Sequence, residues 1–395
     1  MVDSTYLDWP FFEDHHRAHA EAARTWAKEN LGPIEHEEPH DIPSLDEMSR
    51  NFVEMLGQSG WLKYCVPAAY GGALDKIDVR TIALTRESMG YYSGLAEFCF
   101  TMQGLGSGSI TYFGSEEQKQ AYLPAVASGE KIAAFAISEP EGGSDVAAMR
   151  TTAEADGNEY VINGAKTWIS NAGIADQYVL FARTGEAPGA KGISAFVVDA
   201  DTAGMSVSER INVIAPHPLG TLTFDNCRIP ATAMLGNPGD GFKIAMTTLD
   251  TFRTSVGGAA LGFARRAMDE AINRSKSREA FGQPIGDFQL IQEKIADMAV
   301  KIDATALLVY RSAWVKDVQE ARVTRESGMA KMFATESAQE VIDQAVQIFG
   351  GQGVVSGETV ERLYREIRAL RIYEGTTEIL KLVIAGQVMA AAEDG

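Results

Sequence analysis

At 395 residues the chain exceeds the ~250–300 residues at which a single hydrophobic core stops growing, so two or three packed domains are expected. Apolar residues make up 45% and charged residues 23%, ordinary globular values that exclude a disordered or fibrous chain. With 35 basic against 54 acidic residues the net charge is −19, a field that repels nucleic acid and anionic membranes and excludes both as main partners.

The same field repels an anionic substrate, so a phosphate-bearing ligand has to be met by clustered arginines and backbone amides. Cys65, Cys99 and Cys227 are an odd set without CxxC spacing, which reads as reduced thiols in a cytoplasmic protein, not a disulfide framework or a zinc site. Met1-Val2-Asp3-Ser4-Thr5-Tyr6 has no basic region followed by an apolar run, so no presequence is expected. No apolar stretch is long enough to span a bilayer.

Periodicity divides the chain into three zones. From Phe11 to about Ser128 it is helical, with Ser44 and Glu47 spaced as an S-x-x-E capping box and Ser115 and Gln118 as an S-x-x-Q one. Between Ile132 and Pro230 short β-rich runs take over: Thr151–Ala155, Tyr160–Asn163, Tyr178–Ala182, Ile193–Asp199 and Thr221–Phe224, with turn signals at Asp156-Gly157-Asn158 and Gly189. Helical period then returns in three long stretches, Phe242–Ser277, Phe288–Val318 and Thr324–Phe349, the first pair separated by Gly282, Pro284 and Gly286. The expected fold is α+β and mostly α. It has an N-terminal helical domain over 1–130, a central antiparallel β-barrel or sandwich over 131–235, and a C-terminal four-helix bundle over 236–395.

Four segments carry chemistry, each with an ordinary reading beside the functional one. Ile137-Ser138-Glu139-Pro140-Glu141-Gly142-Gly143-Ser144-Asp145 follows a strand, and its glycines free backbone amides for an anionic or carbonyl-rich ligand; it also reads as a common Pro-Gly turn. In Gly164-Ala165-Lys166-Thr167-Trp168-Ile169-Ser170-Asn171, Trp168 is either set against a flat heterocycle whose rim meets Ser170, or a buried core residue. Gln347-Ile348-Phe349-Gly350-Gly351-Gln352-Gly353 ends a long helix, as a C-cap or as a backbone approach to pyrophosphate. Arg278 is its bidentate phosphate contact or a solvated helix-end arginine. In Ile372-Tyr373-Glu374-Gly375-Thr376-Thr377-Glu378-Ile379, a carboxylate stands in an apolar, glycine-bounded break. Burial there raises a carboxyl pKa toward that of a general base; a helix N-terminal acid stabilised by the macrodipole is the plainer alternative.

Taken together and in this order, from about Phe11 to Met389, these motifs closely resemble the acyl-CoA dehydrogenase family. The resemblance implies an FAD enzyme that removes hydrogen from the α and β carbons of an acyl-CoA thioester. It implies that Phe135, Ile137, Ser138, Gly143 and Ser144 line the flavin, with Ser144 also reaching the substrate, and that Trp168, Ile169 and Ser170 contact the ring system. Arg278, Phe281, Gln347, Gly350 and Gly351 are implied for the ADP part of FAD across a subunit boundary, hence a homo-oligomer, usually a tetramer built as a dimer of dimers. Asp250 and Arg253 match positions for the CoA arm, Tyr373 and Gly375 touch substrate, and Thr376 and Glu378 fall at cofactor positions. Glu374 is implied as the base that takes the α-proton while the β-hydrogen leaves as hydride to flavin N5, with its own amide and a ribityl hydroxyl on the thioester carbonyl. An electron-transfer flavoprotein is the implied acceptor, and no metal is implied.

Departures from the family pattern bear on the acyl group. Glu141 replaces a small residue, Ser170 a commoner threonine that also carries a hydroxyl, and Ala215-Pro216-His217-Pro218-Leu219-Gly220 an ordinary polar segment. His217 reads either as an acyl-group contact or as a turn histidine between two prolines. Phe98, Phe100 and Met102 fall where the acyl pocket is expected, which favours a short, branched or cyclic chain. His15 with His19, and His36 with His40, have i, i+4 spacing but no third ligand nearby, and read as surface helix histidines. The alternatives are a flavin monooxygenase or oxidase on the same scaffold, a dehydrogenase of carrier-protein-bound acyl groups, and a flavin-free interaction protein.

Overall fold

The structure is a computed structural model in which residues 4–393 are described; the first three residues of the N-terminal stretch lie outside them. In chain order the elements are helices α1 (Asp14–Asn30), α2 (Ile42–Gln58), α3 (Val79–Gly90), α4 (Gly94–Phe113) and α5 (Glu116–Ser128). Strands β1 (Ala133–Ala136), β2 (Thr152–Asp156), β3 (Glu159–Ser170), β4 (Gln177–Arg183), β5 (Ile193–Asp199), β6 (Met205–Arg210), β7 (Leu219–Pro230) and β8 (Met234–Leu235) follow. The C-terminal part holds α6 (Gly241–Ser277), the short strands β9 (Glu279–Ala280) and β10 (Gln283–Pro284), then α7 (Gln289–Val318), α8 (Thr324–Phe349), α9 (Thr359–Leu370) and α10 (Thr377–Glu393). Among the described residues no helix is long and apolar enough to cross a membrane.

The chain forms two compact units. The first comprises Met1–Glu37, Asp78–Glu97 and Asp250–Gly395. Its core draws Ala83 and Leu84 from α3, Val256, Ala260 and Phe263 from α6, Val309 and Tyr310 from α7, Ala334 and Ile342 from α8 and Ile367 from α9. Full burial of a phenylalanine such as Phe263 contributes roughly 1.5–3 kcal/mol. Small residues let the helix backbones close up: a Cβ at Gly258 would sit 2.5 Å from the Ala83 carbonyl oxygen, and one at Gly262 would sit 2.3 Å from that of Glu87. A buried polar knot crosses this core. Glu87 accepts hydrogen bonds from Tyr6 at 2.7 Å and from Tyr310, and pairs with Arg265 at 3.0 Å.

The second unit comprises Glu38–Ile77 and Phe98–Leu249. Its α2 starts earlier than the S-x-x-E spacing indicates. Asp41 is the N-cap, accepting from the Ser44 amide at 2.8 Å while Ser44 reaches back to the Asp41 amide at 3.1 Å. Ser44 therefore occupies the third helical position, and Pro43 fits the first turn, where no intrahelical N–H is needed. The Ser115–Gln118 box caps α5 as expected, and Gly129 at φ +79° ends it.

The eight strands pair in the order β6-β7-β3-β2-β4-β5-β8, with β1 beside β4. Most pairings are antiparallel, whereas β1–β4 and the single β2–β4 contact are parallel. Phe135, Leu180, Phe181, Phe196, Leu222 and Phe224 fill the core of this sheet.

Candidate active site

In the first unit the critical segment links α9 to α10. The Ile372 and Tyr373 amides both return to the Ala369 carbonyl, at 2.9 and 3.1 Å, and close α9. Thr376 opens α10: its hydroxyl accepts from the Ile379 amide at 3.3 Å, an N-cap bond. Between these two fixed ends the chain reverses through Glu374 at φ +53° and Gly375 at φ +98°. A left-handed conformation at a non-glycine residue costs about 1–2 kcal/mol and persists only where the surroundings enforce it. Here they do. Arg253 Nε donates to the Glu374 carbonyl at 3.0 Å and Lys331 Nζ to the Gly375 carbonyl at 2.7 Å. Arg253 also bonds Asp250 at 2.9 Å, and Asp250 accepts from Thr324 at 2.5 Å. Glu336 completes the frame, accepting from Arg371 at 3.0 Å and Thr377 at 2.5 Å.

Burial pushes the Glu374 carboxyl above the usual carboxylate range. The cations of Arg86, Arg253 and Lys331 oppose that shift, and the Glu97 carboxylate adds to it. Among the described residues the buried Oε2 of Glu374 has no hydrogen-bond partner. It is an acceptor kept free in a desolvated position, which is what a proton-abstracting group requires. Arg86 and Glu97 form a fully buried ion pair, and Arg86 also donates to Ser255 at 2.8 Å.

Neither Lys331 nor the Arg86–Glu97 pair stands among the candidates read from sequence. The signal for Lys331 was present: it lies on the buried stripe of α8 with Ser327, Gly328, Ala334, Thr335 and Ala338. A lysine at core period is out of place unless it has a partner.

Elsewhere in this unit Arg278 follows α6 and is exposed. Phe281, at the β9–β10 turn, is 97% exposed with φ +54°. Gln347, Gly350 and Gly351 are exposed at the C-terminal end of α8. Gly350 takes φ +63° and ψ −139°, a combination essentially confined to glycine. A Cβ at Gly350 or Gly351 would meet nothing within 4 Å.

In the second unit the segments Ile137–Asp145 and Gly164–Asn171 are brought together. Beyond β1 the Glu139 carboxylate turns back and accepts from the amides of Arg150 at 2.6 Å and Thr151 at 3.0 Å. It pairs with the fully buried Lys166 at 2.7 Å, whose pKa burial pushes down to about 8. Lys166 also donates to the Ile137 carbonyl at 3.2 Å, and the Thr167 amide to that of Ser138 at 2.9 Å. Phe135 is buried, Ile137 and Ser138 are half-buried, and Gly143 and Ser144 are exposed.

Opposite β7 the register jumps between Lys166↔Leu222 and Ile169↔Gly220, so β3 carries one extra residue there. Trp168 sits in this bulge at φ +58° and is 57% exposed, while Ile169 is buried and Ser170 half-buried. Bulges re-aim side chains and occur beside active sites. The core reading of Trp168 is thereby excluded.

Three further residues depart from the sequence reading or refine it. His217, between its two prolines, is buried and stacks on Phe98, with centroids 4.5 Å apart and planes 6° from parallel. Glu141 is exposed and pairs with Arg150. His19 is not a surface residue: it is buried against the Thr85 hydroxyl at 2.7 Å.

A strained strand position that holds a large aromatic outward beside a half-buried hydroxyl fits the edge of a flat heterocycle. The unpartnered Oε2 of Glu374 fits a base. Each feature, taken within its own unit, fits a flavoprotein oxidoreductase acting on a CH–CH group. Three family profiles match: acyl-CoA dehydrogenase N-terminal domain over residues 13–130, middle domain over 134–227 and C-terminal domain over 239–389. The human mitochondrial short-chain specific acyl-CoA dehydrogenase is 41% identical over 379 residues, 95% of this chain and 90% of that protein. The 3-(aryl)acrylate reductase of Clostridium sporogenes is 37% identical, over 96% of this chain and 100% of its own length. The butyryl-CoA dehydrogenase structure from Megasphaera elsdenii superposes with a TM-score of 0.88 at 32% identity, covering 96% of this chain and 99% of that one. The chain belongs to the acyl-CoA dehydrogenase family, and its cofactor is FAD.

Proposed function

We propose that the protein removes hydrogen from the α and β carbons of an acyl-CoA thioester with a short, branched or cyclic acyl chain, giving the 2-enoyl-CoA. The observation that carries this reading is Glu374. Its carboxylate has a raised pKa and an unpartnered buried oxygen, on a backbone that two cations hold in a strained conformation.

Glu374 takes the α-proton onto its carboxylate. The thioester carbonyl, which gathers negative charge as that proton leaves, is met by the Glu374 amide; preorganised donors of this kind lower such barriers without reorganisation. FAD, when bound, supplies the acceptor for the β-hydrogen and its electron pair. Tyr373 and Gly375 face the acyl group, and a chain lying on them excludes water and strengthens every charge interaction at the base. Ser144, Asp250 and Arg253 serve the substrate.

Phe135, Ile137, Ser138, Gly143, Ser144, Trp168, Ile169, Ser170, Thr376 and Glu378 hold the flavin end of FAD. Arg278, Phe281, Gln347, Gly350 and Gly351 hold the ADP end of a neighbouring subunit's cofactor. Exposed Leu290, Val300 and Leu307 on α7 and Leu382, Val388 and Met389 on α10 support a homotetramer arranged as a dimer of dimers, because large apolar side chains in such number need a cover. Three buried free cysteines accord with a cytoplasmic location. Residues 1–130, 131–235 and 236–395 are the three domains of this reading, and an electron-transfer flavoprotein is the acceptor. Phe98 stacked on the buried His217 supports the short or compact acyl chain, since two rings fill space that a long chain needs.

An anaerobic titration of the FAD protein with short, branched, cyclic and long acyl-CoAs tests the proposal. Flavin absorbance bleaches with the compact substrates and changes little with the long ones. Bleaching by none of them, or equally by acyl groups on a carrier protein, would contradict it.

A further inference from the structure

Lys331 is a lysine where packing alone calls for an apolar residue. It lies on the core stripe of α8 and is fully buried. Burying an ammonium costs more than one hydrogen bond returns. Its Nζ donates to the Gly375 carbonyl at 2.7 Å, one residue beyond the carbonyl held by Arg253.

Two bonds on successive carbonyls fix two successive peptide planes. The plane that joins Glu374 to Gly375 carries the bond from Arg253, and the plane that joins Gly375 to Thr376 carries the bond from Lys331. Between them stands glycine, the residue least able to hold a conformation by itself. At φ +98° its rotation is resisted by no side chain.

We propose that Lys331 is a positioning residue for Glu374, fixing the direction of the base through the Gly375 carbonyl. The inference rests on the reading of Glu374 as the base. Four charged groups face Lys331: Glu374 on the loop between α9 and α10, Arg253 from α6, Glu336 from its own helix α8, and Arg371 at the end of α9. Burial pushes its pKa down to about 7; Glu374 and Glu336 support its proton, and Arg253 and Arg371 oppose it. The charge on Lys331 and the charge on the base are therefore coupled, and each carboxylate or ammonium favours the ionised form of the other.

Two measurements test this. In the first, the FAD forms of Lys331→Met and Lys331→Gln are mixed anaerobically with the best acyl-CoA in a stopped-flow instrument. The limiting rate of flavin reduction falls about 10²-fold in Lys331→Met, the size expected for a ~1 Å misplacement of a catalytic group. The loss is smaller in Lys331→Gln, which keeps an N–H for the carbonyl. FAD content and the apparent Kd for acyl-CoA stay within about threefold, because the interaction acts on the transition state. A Lys331→Met rate within about threefold of wild type, or a loss that appears in Kd alone, overturns the proposal.

The second measurement needs no substrate and no stable Lys331→Met protein. Lysines are labelled with 13C at Cε, and the Lys331 resonance is assigned by its loss in Lys331→Gln. Its titration midpoint, expected near 7 in the wild type, moves to lower pH in Glu374→Gln, because a supporting negative charge is gone. A midpoint unmoved by Glu374→Gln refutes the coupling. If no thioester reduces the flavin, the functional reading fails, and this titration still decides whether Lys331 senses Glu374.

Discussion

The Nε–H of Arg253 donates to the carbonyl oxygen of Glu374 at 3.0 Å, while Nη1 of the same guanidinium bonds Asp250 at 2.9 Å. One buried arginine thus ties Glu374 to α6. Removing one partner of a buried ion pair leaves an uncompensated charge, at a cost of about 3–5 kcal/mol. Arg253→Met should therefore destabilise the protein by roughly 3 kcal/mol, measured by urea denaturation. Asp250→Asn added to it should restore part of the loss. Equal stabilities of the single and double variants would show that Asp250 is not stranded by the first change.

Trp168 is held in a left-handed conformation and more than half exposed, so its side chain adds little to the stability of the cofactor-free fold. Trp168→Gly relieves the backbone strain, and the apoprotein midpoint in urea should stay within about 1 kcal/mol of wild type. The FAD-to-protein ratio after gel filtration should fall sharply. A large loss of apoprotein stability with full FAD retention would assign Trp168 to the core instead.

On the proposed mechanism the acid limb of the flavin-reduction rate reports Glu374, because its protonated form cannot abstract a proton. Burial raises its pKa first of all, and the Glu97 carboxylate adds to the shift. Glu97→Gln removes that negative neighbour. The limb should move to lower pH, as followed by stopped-flow reduction between pH 5 and 9. A limb that stays in place or moves upward would exclude Glu97 from the electrostatics of the site.

His19 gives a pH effect on stability. Burial holds its pKa down at about 4, against 6.5 for the free side chain. Between these values the unfolded chain binds a proton that the native protein refuses, so stability rises with pH through this window. The contribution is complete above 6.5 and lost toward pH 4, amounting to roughly 3 kcal/mol at most. His19→Gln should flatten the stability profile between pH 4 and 6.5. An unchanged slope in the variant would show that other groups produce it.

Much of this was legible in the sequence, for identifiable reasons. Long helices announce themselves through period and breakers: Thr324–Phe349 agrees with α8 at both ends, and Phe242–Ser277 misses the start of α6 by one residue. Strands were harder. Tyr160–Asn163 is only part of β3, because Gly164 at φ +143° looks like a break and the strand continues through it. The bulge that exposes Trp168 comes from one extra residue relative to β7, which only the paired register reveals.

Buried polar residues were underread, although their period was available. His16, His19, Ala20, Ala23 and Ala27 form one buried stripe of α1. Lys331 falls on the corresponding stripe of α8 in the same way. His16, His19 and Lys331 are polar, and polarity by itself points to a surface position. The proposed role of Glu374 was legible only through the combination of motifs, since nothing local to Tyr373-Glu374-Gly375 separates a base from a helix-start acid. The left-handed backbone, with Arg253 on the Glu374 carbonyl and Lys331 on that of Gly375, supports the proposal from a side that sequence does not reach.

In the proposed reaction the Glu374 carboxylate takes the proton. The most direct measurement compares wild type and Glu374→Gln, both with full FAD, in anaerobic single-turnover mixing with the acyl-CoA that bleaches the wild type fastest. Glu374→Gln should still bind FAD and acyl-CoA but reduce the flavin at least about 10³-fold more slowly, the scale of losing a positioned base. Reduction within about tenfold of the wild-type rate would contradict it.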